Sequence, residues 1–327
     1  MMKRILFFVV AAVALVGCGR ADYEPVAVHI DRFDSALWTL DRANLAASLD
    51  SLQAHYPDIT PVYLERVVEF GAVGDTLTTY TLQRFFADSA VAQLYGATLA
   101  HFADMTGYEV QLGEAFGRAK SEFPDKPTPR FYMHISGLNQ SMVVGDGFIS
   151  ASIDNYLGAD YPLYEQVGIY GYLRQNMRPE KLAPDYVMAW LLSEFPFRPR
   201  TGELQEEMVY RGKILYATSA LLPDLPDSLL IGYTAAQWDW CKKYEHDMWM
   251  TMVGQRHLFS HDATLRAKYL NDAPFTKPFT QQSPGRAGAY VGWQIVKKYM
   301  RSHRQMSLRE LMLRSDDEIA REAKYDP

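Results

Sequence analysis

"YVMAWLLSEFPFRPR", residues 186–200, decides how this chain is read. Seven residues of strongly apolar character run straight into one acid, Glu194, and Pro196 follows two residues later. Pro184 suits a first helical turn and Pro196 a helix end, so the spacing predicts a helix over about 184–195. A carboxylate at the end of such a helix meets the negative end of the helix dipole. If buried there, it needs a cation or a proton.

The stretch compares with H-E-x-x-H, where two His one turn apart grip zinc and the Glu acts as general base. Ser193 and Phe197 stand at the His positions and only Glu194 matches. Pro196 also falls between the two would-be ligands. Gluzincin-type enzymes take a third ligand, Glu before Gly, from a following helix. Here "YRGKILY" puts Arg211 before Gly212. On a helix over about 203–221, Leu204, Met208, Arg211 and Leu215 share one side. Two readings stand side by side. In one, Arg211 enters the former metal site and pairs with Glu194, joined by Glu207. In the other, Arg211 reaches solvent and Glu194 pairs with Arg198 or Arg200. Neither reading retains a metal-ligand set, so no metal, cofactor or catalytic residue is expected.

Upstream, "SEFPDKPTPR" carries Pro124, Pro127 and Pro129 and marks the best boundary in the chain. Before it the pattern is helical from about His29, with Phe33, Leu37 and Leu40 on one stripe. After it, "RFYMHIS" and "GFISASID" alternate like strands around the turn signal "VVGDG", which predicts a hairpin or small sheet over 130–154. Downstream, Ser283 and Pro284 read as a helix start, and Gly288 with Gly292 as a groove for close helix packing. Ser307 and Glu310 form a capping box. The class is α+β and mostly helical. His134 reads as a structural strand residue, His257 and His261 as a surface pair, and Cys241 as a buried thiol.

The N-terminus carries Lys3 and Arg4, then twelve apolar residues from Ile5 to Val16, then "LVGC", residues 15–18. The apolar run is short of the roughly 20 residues a spanning helix needs. It describes a secretory signal over 1–17, with Cys18 as a lipidation site and 18–28 as a lipid-anchored tether. Without Lys3 and Arg4, 31 of the 33 basic residues face 39 acidic ones, a net charge of −8. That balance offers nucleic acid no electrostatic footing.

Five phrases together resemble one family: "DNYLG" (154–158), "RGKILYATSALLPDLPDSLLIGYT" (211–234), "QWDWCKKYEHDMW" (237–249), "APFT" (273–276) and "SPGRAGAYVGWQIVKKYM" (283–300). Behind a lipobox, they are similar to the gliding-motility lipoprotein B (GldB) family of Bacteroidetes. The resemblance covers most of the mature chain. It implies an envelope lipoprotein that works with the gliding or type IX secretion machinery. It also implies a zincin-like domain over 121–327 behind a helical region over 29–120, since the family's C-terminal half is similar to predicted zinc proteases with a late GY-x-x-G helix, matched by "GAYVGW" (288–293). The changed ligand positions, Ser193, Phe197 and Arg211, then predict a degenerate, non-catalytic site acting by protein binding. "GRADYE" after Cys18 has no acidic run, which points to the periplasmic face of the outer membrane. Two alternatives stay open on the sequence: an extracytoplasmic peptidase using another site, and a glycan-binding lipoprotein, given 21 Tyr and 6 Trp.

Overall fold

A computed structural model describes residues 23–327. The signal segment 1–17 and Cys18 lie outside the described residues. Helices make up 60% of the structure, beside one four-stranded mixed sheet. The strands are β1 (Ile30–Asp31), β2 (Arg130–His134), β3 (Met142–Gly145) and β4 (Phe148–Ser152), in the order β1-β2-β4-β3.

The sheet departs from a simple hairpin of 130–135 against 148–153. β2 and β4 run parallel, with Phe131 opposite Ile149 and Met133 opposite Ala151. The hairpin is instead β3–β4, closed at Asp146 and Gly147, where Gly147 takes φ +72°, the left-handed value that a type II turn needs at its third residue. The "VV" of the turn signal is itself strand. β2 then fills the other side of β4, and β1 from the N-terminal region pairs parallel with β2.

The alternation read from sequence sorts the sheet's two faces. Phe131, Met133, Ile149 and Ala151 face the larger core, with the helices Thr106–Glu122 and Leu182–Glu194. Tyr132 and Phe148 face a smaller core with Phe33, Leu37, Leu52, Tyr63 and Phe86. β4 is covered on both faces, and all five of its residues are buried. Phe116 and Phe123 meet Phe131, Trp190 and Phe195 from beyond the proline loop, so one core runs beneath it. Within the expected tether, Val26 N donates to Gly113 O at 3.0 Å.

His134, on β2, is buried with its Nδ1 2.7 Å from Ser150 Oγ, and Nε2 has no partner. Burial drops its pKa from 6.5 to about 3. The unfolded chain therefore binds the extra proton first. The neutral ring's contribution is complete above about pH 6.5 and is lost as pH falls toward 3. By about pH 5 the loss should reach roughly 2 kcal/mol. Urea midpoints at pH 7 and pH 5 should fall less in His134→Gln than in wild type. Equal falls would place the ionisation elsewhere.

Beyond the sheet, the helix Leu204–Leu221 runs through the core with most of its residues buried, Glu206 and Lys213 among them. It packs on Ala287–Ser302 with the backbones in contact. A Cβ on Gly292 would stand 1.8 Å from Met208 O, and one on Gly212 would stand 2.4 Å from Gly292 O. Of the groove read at Gly288 and Gly292, Gly292 makes this contact, while Gly288 packs on Tyr269 and Leu270 of the helix Ala263–Leu270. The helix begins at Ala287 and not at Ser283, because Ser283 Oγ is engaged by Thr276 N and Thr280 O. Arg286, at φ +58°, is the N-cap. Ser307 and Glu310 do form a capping box. After Thr234 the chain forms two helices, Ala235–Lys243 and Glu245–Gly254, parted at Tyr244.

Candidate functional site

A cleft of about 760 Å³ opens where three helix segments and the end of the sheet converge. That size lies in the range of ligand sites. The helix Leu182–Glu194, with Lys181 before it, presents Lys181, Asp185, Met188 and Leu192 at i, i+4, i+7 and i+11. Leu204–Leu221 supplies Glu207 and Arg211, and the start of Ala287–Ser302 supplies Arg286. Leu138 and Ser141 form the lip on the sheet side. Asp154 holds that lip: it accepts from Leu138 N at 2.7 Å, from Ser136 N at 3.3 Å and from Ser152 Oγ.

The charges of the cleft come as three closed pairs. Lys181 Nζ lies 3.0 Å from Asp185 Oδ1, Arg211 Nη2 2.9 Å from Glu207 Oε1, and Arg286 Nε 3.0 Å from Asp272 Oδ1. Each cation also donates to a main-chain carbonyl: Lys181 to Leu230 O, Arg211 to Leu270 O, Arg286 to Ile231 O. Tyr156 donates to Asp185 Oδ2 at 3.0 Å; burial, then the Asp185 charge, pushes its phenol well above the usual value. Arg266 Nε stands 3.4 Å from the second oxygen of Glu207.

Of the residues singled out by the metal-site comparison, Phe197, Glu207 and Arg211 line this cleft. Ser193 is exposed, and Glu194 lies outside it. The expected Glu194–Arg211 pair does not form, nor does Glu194 pair with Arg198 or Arg200. Glu194 Oε2 meets Lys126 Nζ at 2.9 Å, both side chains about a quarter exposed. The reason is helical phase. Nine residues at about 100° each carry Glu194 half a turn past Asp185, to the face under the proline loop. Arg200 turns to Asp317. Glu207 and Arg211 do pair, as their i,i+4 spacing allows. Tyr210 stands between the cleft and a second cavity of about 420 Å³ that Glu194 lines. Burial raises its phenol to about 12, and its hydroxyl donates to Phe195 O.

Sequence reasoning missed Lys181, Asp185, Asp272 and Arg286. The i,i+4 pair in "KLAPD" was a usable signal for the first two. Asp272 and Arg286 are brought together only by the loop between them. The other histidines stay apart from the cleft: His257 Nδ1 pairs with Tyr269 Oη at 2.8 Å, and His261 is exposed beyond the short 3₁₀ turn. Cys241 is a buried free thiol whose pKa burial raises. Among the described residues, no three His, Cys, Asp or Glu side chains group to hold a metal ion.

Three of the phrases, 154–158, 211–234 and 283–300, supply residues to the cleft wall. The model of the gliding motility protein GldB family matches residues 20–327. The chain belongs to the GldB family. No curated protein and no solved structure matches it. The family is one of lipoproteins by name, and among the described residues no helix is long and apolar enough to cross a membrane. The family match spans both sides of the proline loop, as does the larger core.

Proposed function

We propose that this GldB-family chain is a lipid-anchored envelope protein that supports gliding motility, or the allied secretion machinery, by binding a partner in its cleft without catalysis. The observation that carries this reading is the closure of the cleft's charges. Each carboxylate on its wall is neutralised by an adjacent cation, and each cation is held by a main-chain carbonyl. Among the described residues the cleft offers a general base no unpaired carboxylate and no imidazole, its Lys181 and Tyr156 are tied to Asp185, and zinc needs three ligands. Arg211 stands where a gluzincin-type helix would carry a ligand, a departure that fits a non-catalytic role. Lipidation at Cys18 holds the chain at the outer membrane, facing the periplasm.

One preparation tests both halves. Chain purified without chelator should contain far less than one zinc per molecule by elemental analysis, and Cys18→Ala should leave the membrane fraction or fail to mature. Stoichiometric zinc would refute the non-catalytic reading, and an unchanged membrane fraction would refute the anchor.

A further inference from the structure

We propose that the free edge of β3 and the adjoining cleft together bind one extended, uncharged, apolar-rich segment of a partner polypeptide. This deepens the binding role proposed above and rests on it. β3 is an edge strand. Ser152 N donates to Ser141 O at 2.8 Å, and antiparallel alternation then turns the N–H and C=O of Met142 and Val144 away from β4. Those groups match the backbone of another extended chain. Natural edges are commonly guarded by Lys, Pro or an inward charge. "MVVG" has none.

The edge leads into the cleft. Met142 and Val144 sit opposite Ala151 and Ile149, so their side chains stand on the larger-core side, with the helix Leu182–Glu194. Tyr156 Oη, in the cleft wall, lies 3.6 Å from Met142 Sδ. Ser141, directly before β3, is on the cleft's lip. Val144 on the strand and Leu192 at the cleft are 46% and 43% exposed, which offers apolar contact to a chain passing between them. Charge decides the chemistry of that chain. With three closed ion pairs the cleft has no unpaired cation or anion among the described residues, so a charged side chain entering it would lose water without gaining a partner. A second copy of this chain fits poorly, because pairing two four-residue edges buries far less than the roughly 1,200 Å² of a stable interface.

The test uses the purified chain and a fluorescein-labelled, capped octapeptide, with valine or leucine at alternate positions and serine or threonine between. Saturable binding by anisotropy is expected. N-methylation of alternate residues, which removes donors along one edge of the peptide, should weaken it about tenfold or more. Exchange of two apolar residues for aspartate should do the same. In the protein, Val144→Pro removes one outward N–H at a position where edge strands tolerate proline, and Leu192→Lys places a charge at the cleft without touching the sheet. Either should abolish binding with an unchanged melting temperature. Equal affinity for the N-methylated peptide, no saturation at millimolar concentration, or a dimer in sedimentation that Val144→Pro dissolves would each overturn the proposal. Cleavage of the bound octapeptide, seen by mass spectrometry, would overturn the non-catalytic reading and leave this docking mode standing.

Discussion

Gly292→Ala should melt far below wild type, although it adds one methyl group. That methyl would sit 1.8 Å from Met208 O, a main-chain atom in the middle of the central helix. No rotamer relieves the clash, so Leu204–Leu221 and Ala287–Ser302 must move apart. This pair has the most extensive contact among the described elements, and it positions Arg211 and Arg286 in the cleft wall. Overpacking of this kind costs about 3 kcal/mol, at the upper end of its usual range. For a chain of this size that corresponds to a fall of roughly 6 °C or more in Tm. Gly96→Ala is the control. Gly96 lies exposed inside the helix Ser89–His101, and a Cβ there meets nothing within 4 Å. It should gain about 0.5–1 kcal/mol from reduced backbone freedom. A Gly292→Ala melt within the error of wild type would mean the two backbones do not touch.

A second large effect belongs to Lys213. Its side chain is 5% exposed and its Nζ lies 2.9 Å from Asp316 Oδ1, itself 11% exposed, and 2.7 Å from Arg314 O. Burial raises the Asp316 carboxyl, and Lys213 pulls it back. Lys213→Met leaves that acid buried without its cation and should cost about 3–5 kcal/mol. Adding Asp316→Leu should recover much of the loss. Glu194→Gln removes only a partly exposed contact with Lys126 and should cost no more than about 1 kcal/mol. Denaturant melts of these variants decide between the two acids. A Glu194→Gln loss as large as that of Lys213→Met would restore Glu194 as the buried partner.

Both predictions concern the helix Leu204–Leu221, which carries the motif "RGKILY" marked in the sequence. Its helix and the close packing at Gly292 were legible, because apolar periodicity and small residues depend on nearest neighbours along one helix. The strand alternation at 130–134 and 148–152 was legible for the same reason, and so was the α+β class. Local chemistry also gave the Ser307–Glu310 cap and the Glu207–Arg211 pair. The family phrases read in the sequence agree with the family match over 20–327.

What the sequence did not determine was direction around each helix. Arg211 and Lys213 are two residues apart, about 200° around the axis, and only packing shows that Lys213 is the buried one. Glu194 and Asp185 lie on opposite faces of one helix, and the cleft took Asp185. The parallel pairing of β2 with β4 was hidden too, because alternation fixes which face a residue takes and not which strand lies beside it. The sequence alone thus determined the class, the buried helices and the family. The tertiary structure alone decided which charges meet, since Arg286 finds Asp272 and Glu194 finds Lys126 through contacts between segments that no periodicity connects.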